Sequence, residues 1–213
     1  MATRHVVLLG DSVFDNAAYV RGGPDVVAQL RQALPDGWRA TLAAVDGAVV
    51  GHVEGQIRRA PGDADFLVVS AGGNDALANI DILGRATRSM AESLNVLARI
   101  AGDFERRYRD MVRALLEPGL PAAVCTVYNP RFPDPDEQRL AVTALCVFND
   151  AILRVAFEAG LPVLDLRLIC DEDADYANPI EPSVRGGAKI SRAIVGLVAE
   201  HGPGGGRTLV FAR

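Results

Sequence analysis

Residues 6–9, Val-Val-Leu-Leu, form a run of four aliphatics that stops abruptly at Gly10-Asp11-Ser12. A short apolar run bounded by Gly and Asp reads as a strand buried on both faces, the kind found in parallel sheets. Similar runs return at Phe66–Ser70, Ala122–Tyr128 and Val163–Leu166, with a more alternating version at Trp38–Val45. Between them lie segments of helical periodicity. Val26, Val27, Leu30 and Leu34 follow a Pro24-Asp25 start; others cover residues 49–59 and 75–83, then Ser89 to Leu116 with an interruption at Gly102. Two more cover residues 137–159 and the stretch from Gly186-Gly187 to Glu200. Strand and helix alternate along the whole chain. That predicts a single α/β domain over residues 1–213, a three-layer α/β/α sandwich around a five-stranded, mainly parallel sheet. Thr208–Ala212 is a candidate terminal edge strand.

At 213 residues, 49% of them hydrophobic, the chain is long enough to bury one large core. Its net charge of -5 and its lack of a Lys/Arg run argue against a nucleic-acid partner. Cys125, Cys146 and Cys170 lie far apart with no C-x-x-C spacing, and are expected to be buried free thiols in a reducing compartment. No secretory signal pattern opens the chain, and no apolar run approaches the roughly 18 residues that a membrane span needs. The expected location is the cytoplasm. A homo-oligomer stays open.

Open α/β sheets bind ligands at the carboxyl ends of their strands. Three successive strand ends here carry chemically distinctive residues: Ser12, Gly47 and Asn74. All three are expected on one edge of the sheet. Acyl transfer needs a nucleophile and donors aimed at the developing oxyanion. Ser12 offers the hydroxyl; its own N–H, the N–H of Gly47 and the Asn74 side-chain amide offer the donors. A turn or helix-cap role accounts equally well for Asp11-Ser12 taken alone.

Gly10-Asp11-Ser12 with Asp15-Asn16, and Gly72-Gly73-Asn74-Asp75, resemble the first and third sequence blocks of the SGNH hydrolases, also called the GDSL esterase/lipase family. Gly47 falls where that family's second-block glycine stands. The resemblance covers the chain in element order. It implies a flavodoxin-like sandwich, a serine nucleophile at Ser12, an oxyanion hole of Ser12, Gly47 and Asn74, a small-molecule ester substrate and no cofactor. Asp11 is implied to brace the turn around Ser12.

The fourth block departs from the pattern. Where the family carries Asp-x-x-His, this chain has Asn178-Pro179-Ile180-Glu181. Three accounts compete. Glu181 is the general base, although a free Glu, with a pKa of about 4.3, matches that task poorly unless burial or a neighbouring carboxylate raises it. Alternatively a histidine serves, with His52 the candidate on position, since His5 begins the first strand and His201 ends the last helix. Or the triad is lost and the chain is a ligand-binding protein on the same fold. A contact of roughly 2.6–3.2 Å from Ser12 Oγ to a Glu181 oxygen or a His52 nitrogen is the expectation for a working base. A nucleotide- or flavin-binding reading is disfavoured, because no G-x-G-x-x-G or P-loop follows the first strand. The acidic run Asp171–Asp175 reads as a solvated turn rather than a metal site.

Overall fold

The computed structural model describes residues 4–200 and 209–211. Its main sheet comprises β1 (Arg4–Gly10), β2 (Trp38–Leu42), β3 (Phe66–Ser70), β4 (Ala122–Cys125), β5 (Val163–Leu164) and β8 (Val210–Phe211), in the order β2-β1-β3-β4-β5-β8. Every pairing in it is parallel. The sixth strand extends the expected five at one edge. A small antiparallel hairpin, β6 (Tyr176–Asn178) and β7 (Glu181–Pro182), stands apart. The helices are α1 (Val26–Ala33), α2 (Val53–Arg58), α3 (Gly73–Leu77), α4 (Met90–Leu116), α5 (Pro135–Glu158), α6 (Leu166–Ile169) and α7 (Val184–Glu200).

The strand alternation assigns two cores. Val6, Leu8, Phe66, Val68, Ala123 and Cys125 face α1 and α7; Val7, Leu9, Leu67, Val69 and Val124 face α2, α4 and α5. Both sets are buried. That is why β1 and β3 read as unbroken apolar runs: neither face meets water. The chain leaves β1 toward β2 on one side and returns to β3 on the other. The carboxyl end of β1 is therefore the switch point of the sheet, where a crevice forms. Ser12 sits there.

Gly10 makes the exit from β1 possible. Its φ is 117°, and a Cβ built on it would lie 1.7 Å from the Ser70 carbonyl oxygen. The buried Gln56 amide closes both its backbone groups, accepting from the Gly10 N–H at 2.6 Å and donating to its carbonyl at 2.8 Å. Gly10→Ala combines a strained φ with a backbone clash, so it is expected to cost about 3 kcal/mol or more. A thermal melt within a few degrees of wild type would contradict that.

Several sequence expectations shift. Gly102 does not interrupt α4, and Gly186-Gly187 lie inside α7 rather than before it. The second case has a steric reason. A Cβ on Gly186 would lie 2.2 Å from the Asp175 carbonyl oxygen, and one on Gly187 would lie 2.9 Å from Gln29 Nε2. Small residues there let α7 approach α1 and the acidic loop closely. β2, β4 and β5 end earlier than expected; Asp165 leaves the sheet to cap α6, accepting from the Arg167 N–H at 3.2 Å. Cys125 and Cys170 are buried free thiols, but Cys146 is exposed. Its apolar neighbours belong to the inner face of α5, whereas its own position points outward. α5 also holds a window of mean hydropathy 1.8, long and apolar enough by length and composition to cross a membrane. Counting unbroken apolar runs misses this, because isolated polar residues divide it. In the fold, Leu145, Phe148, Ile152 and Val155 of α5 pack into the core. His201, Thr208 and Ala212 lie outside the described residues.

Candidate active site

Asp11 to Asp15 coil tightly after β1. The N–H groups of Phe14 and Asp15 donate to the Asp11 carbonyl at 3.2 and 3.1 Å, and Asp11 Oδ1 accepts from the Val13 N–H at 3.2 Å. Asp11 thus braces the turn that presents Ser12. The Ser12 hydroxyl donates to Glu181 Oε1 at 3.0 Å, across 169 residues of sequence. That distance lies inside the range set for a working base.

The β6–β7 hairpin holds Glu181 in place, and three side chains grip it on either side. Asn178 Oδ1 accepts from the Ile180 N–H at 2.9 Å, closing the turn. The Tyr128 hydroxyl donates to the Ile180 carbonyl at 2.7 Å. Asn16 Nδ2 donates to the Pro182 carbonyl at 3.2 Å, while its Oδ1 accepts from the first N–H of α1 at 2.9 Å. Asn178 therefore shapes the hairpin and makes no bond to the Glu181 carboxyl.

Asn74 follows β3 and lines the same cavity as Ser12 and Glu181. One of its amide hydrogens goes to the Ala48 carbonyl at 2.9 Å, which fixes the side chain; the other has no partner among the described residues. Gly47 is one residue from that carbonyl, in a left-handed turn with φ 76°. It lines a neighbouring shallow groove with Asp46 and His52 rather than the Ser12 cavity itself. Among the described residues, neither the Ser12 nor the Gly47 N–H has a hydrogen-bond partner. Asp75, beside Asn74, ties the two loops together by accepting from the Val50 N–H at 2.9 Å.

The described histidines, His5 and His52, stand elsewhere. His52 Nδ1 accepts from the Val49 N–H at 3.4 Å, a local cap. His5 lies at the amino end of β1, wholly buried between Asp63 at 3.1 Å and Thr41 at 2.7 Å. This Asp–His–Thr relay lies at the opposite end of β1 from Ser12, and Arg39 braces it through Asp63. In the acidic loop, Lys189 Nζ reaches Asp171 at 3.1 Å and Asp175 at 2.7 Å, and Arg131 reaches Asp173 at 3.0 Å. Basic side chains occupy the position a cation would take.

Electrostatics distinguish Glu181 from a surface carboxylate. It is 5% exposed, and its Oε2 has no partner among the described residues. Burial pushes its pKa up to about 7; the Asp46 charge adds to the rise and the Ser12 hydroxyl opposes it. Asp11 also rises to about 7, chiefly by burial, opposed by the Val13 N–H and helped by the Glu181 charge. The Glu181 charge thus adds to the cost of ionising Asp11 in the same cavity. Sequence reasoning offered Asp11 only as a brace; its titration depends on burial, which no local motif encodes.

Both pKa values are raised in the folded state, so protonation favours folding. The cost of burying the ions is absent below pH 4 and develops as pH rises toward about 7. Thermal melts should therefore show higher Tm at pH 5 than at pH 8, with the difference reduced in Asp11→Asn. A Tm that climbs steadily through this window would contradict the assignment.

The sequence profile of the GDSL-like lipase/acylhydrolase family matches residues 8–188. The chain belongs to that family. Solved structures agree with the family fold at low sequence identity. An extracellular lipase from Streptomyces rimosus superposes with a TM-score of 0.66 at 15% identity, covering 92% of this chain and 99% of its own. Phospholipase A1 from Streptomyces albidoflavus NA297 gives 0.67 at 14% identity, covering 94% and 100%. The M. smegmatis aryl esterase gives 0.65 at 13%, covering 92% and 99%. No curated protein sequence matches. Within the GDSL-like fold, Ser12 and Asn74 lie at the sheet's switch point, with a glutamate beside the serine.

Proposed function

We propose that the chain is a serine esterase of this family that uses Glu181 as its general base. The observation that carries this is the 3.0 Å bond from the Ser12 hydroxyl to Glu181 Oε1. A carboxyl raised to about 7 is half ionised near neutral pH and basic enough to share the serine proton. Ser12 Oγ attacks the ester carbonyl as its proton passes to Glu181. The Ser12 N–H and the Asn74 amide hydrogen not bonded to Ala48 receive the oxyanion. Glu181 returns the proton to the departing alkoxide, leaving an acyl-Ser12. It then takes a proton from the attacking water and passes it to Ser12 Oγ as the acid leaves, which restores the free hydroxyl and carboxylate. The ester reading draws support from the cavity, about 110 Å³, whose walls beyond the polar end are aliphatic and aromatic. A fluorophosphonate probe tests the proposal. Labelling at Ser12, with hydrolysis of p-nitrophenyl butyrate, is expected; a protein that neither labels nor hydrolyses is a binding protein on this fold.

A further inference from the structure

The cavity that holds Ser12 continues into an uncovered apolar strip. Leu97 of α4 lines the cavity. Leu94 and Met90 lie three and seven residues earlier, on the same helical face, and are 57% and 75% exposed. On the opposing wall, Ala141 and Ala144 of α5 line the cavity, and Leu140, one turn before Ala144, is 51% exposed. Ile80 belongs to both sets, lining the cavity while 38% exposed. The face of α4 that packs Phe104, Tyr108 and Met111 into the core thus runs on past it and stays bare. Single exposed apolar residues need no explanation. A set that follows at helical spacing from the walls of the Ser12 cavity does.

We infer that the acyl half of the substrate is a long, linear hydrocarbon chain that leaves Ser12 through the cavity and lies along Ile80, Leu94, Met90 and Leu140. This rests on the reading of Ser12 as the acylated nucleophile. The side chains of the strip neither donate nor accept hydrogen bonds, so they recognise length rather than polar decoration. The small side chains of Ala141 and Ala144 leave the α5 wall open where a larger residue would narrow it. Each methylene that moves from water onto such a surface contributes up to about 0.8 kcal/mol, roughly fourfold in affinity.

Steady-state kinetics of the full chain on p-nitrophenyl butyrate, octanoate and dodecanoate test this. The value of kcat/KM is expected to rise by roughly two- to fourfold per methylene to the octanoate and not to fall at the dodecanoate. Leu94→Glu and Ala144→Phe are each expected to lower the dodecanoate-to-butyrate ratio by about tenfold or more. A maximum at butyrate, or a ratio that neither substitution moves, overturns the inference. So does light scattering that shows a dimer dissociated by Leu94→Glu at an unchanged ratio, because the strip is then a face between two copies. Ligand binding separates this from the catalytic reading. 1-Decanol should raise the wild-type Tm more than 1-butanol does, and less so in Ala144→Phe. If that holds while no ester turns over, the nucleophile assignment fails and the ligand class stands. If esters turn over with no preference for length and decanol has no advantage, the ligand class fails alone.

Discussion

Glu181→Gln is expected to lower kcat/KM for p-nitrophenyl butyrate by roughly 10²- to 10⁴-fold. Glutamine keeps the volume and can still accept from the Ser12 hydroxyl, but it cannot take the proton. The pH profile carries the stronger signature. The base works only when ionised, and burial raises its pKa to about 7. Wild-type kcat/KM should therefore climb with pH and level off above about 7, whereas an exposed glutamate would level off near pH 5. The Gln variant should lose that limb. Glu181→His puts an imidazole in the register where the family's histidine falls, and should keep more activity than Gln, with a limb governed by the imidazole. A Gln variant that matches wild type in rate and in pH profile would remove Glu181 from the mechanism.

Ser12→Ala should be at least as severe, on the order of 10³-fold or more in kcat, because the covalent step itself is lost. Fluorophosphonate labelling should disappear with it. The substitution also removes the hydrogen bond that holds the Glu181 pKa down. Both Glu181 oxygens are then left without a partner in a buried position, so the carboxyl should stay protonated to a higher pH than in wild type. Residual turnover, if measurable, would come from the oxyanion donors and the cavity. Equal hydrolysis by wild type and Ser12→Ala would place the chemistry elsewhere.

These two variants also mark how far local sequence reaches. Ser12 and Asn74 are legible because each follows a buried apolar run, and a strand buried on both faces releases its first polar side chains at one edge of the sheet. Gly47 is legible as a turn with positive φ, but not as a residue that lines the neighbouring groove instead of the Ser12 cavity. His52 has the right position in the chain to be a base; it folds back onto the Val49 N–H instead. The glycines at 102 and 186–187 read as breaks because propensity counts their cost, while the close approach of α7 to Gln29 and Asp175 is visible only once the helices are docked.

The order of strands and helices, the parallel sheet and the edge that carries Ser12 and Asn74 all follow from short-range patterns: where apolar runs begin, how they repeat, and which residues end them. The choice among three accounts of the base did not follow from them. Glu181 lies 169 residues from Ser12, and its contact depends on a hairpin gripped by Asn16 and Tyr128 from two other parts of the chain. Its basicity depends on how completely the fold removes it from water. Distance and desolvation are properties of the packed chain. The tertiary structure alone therefore turns Glu181, which in sequence stands as a departure from the expected histidine, into a buried carboxylate that accepts a hydrogen bond from the Ser12 hydroxyl.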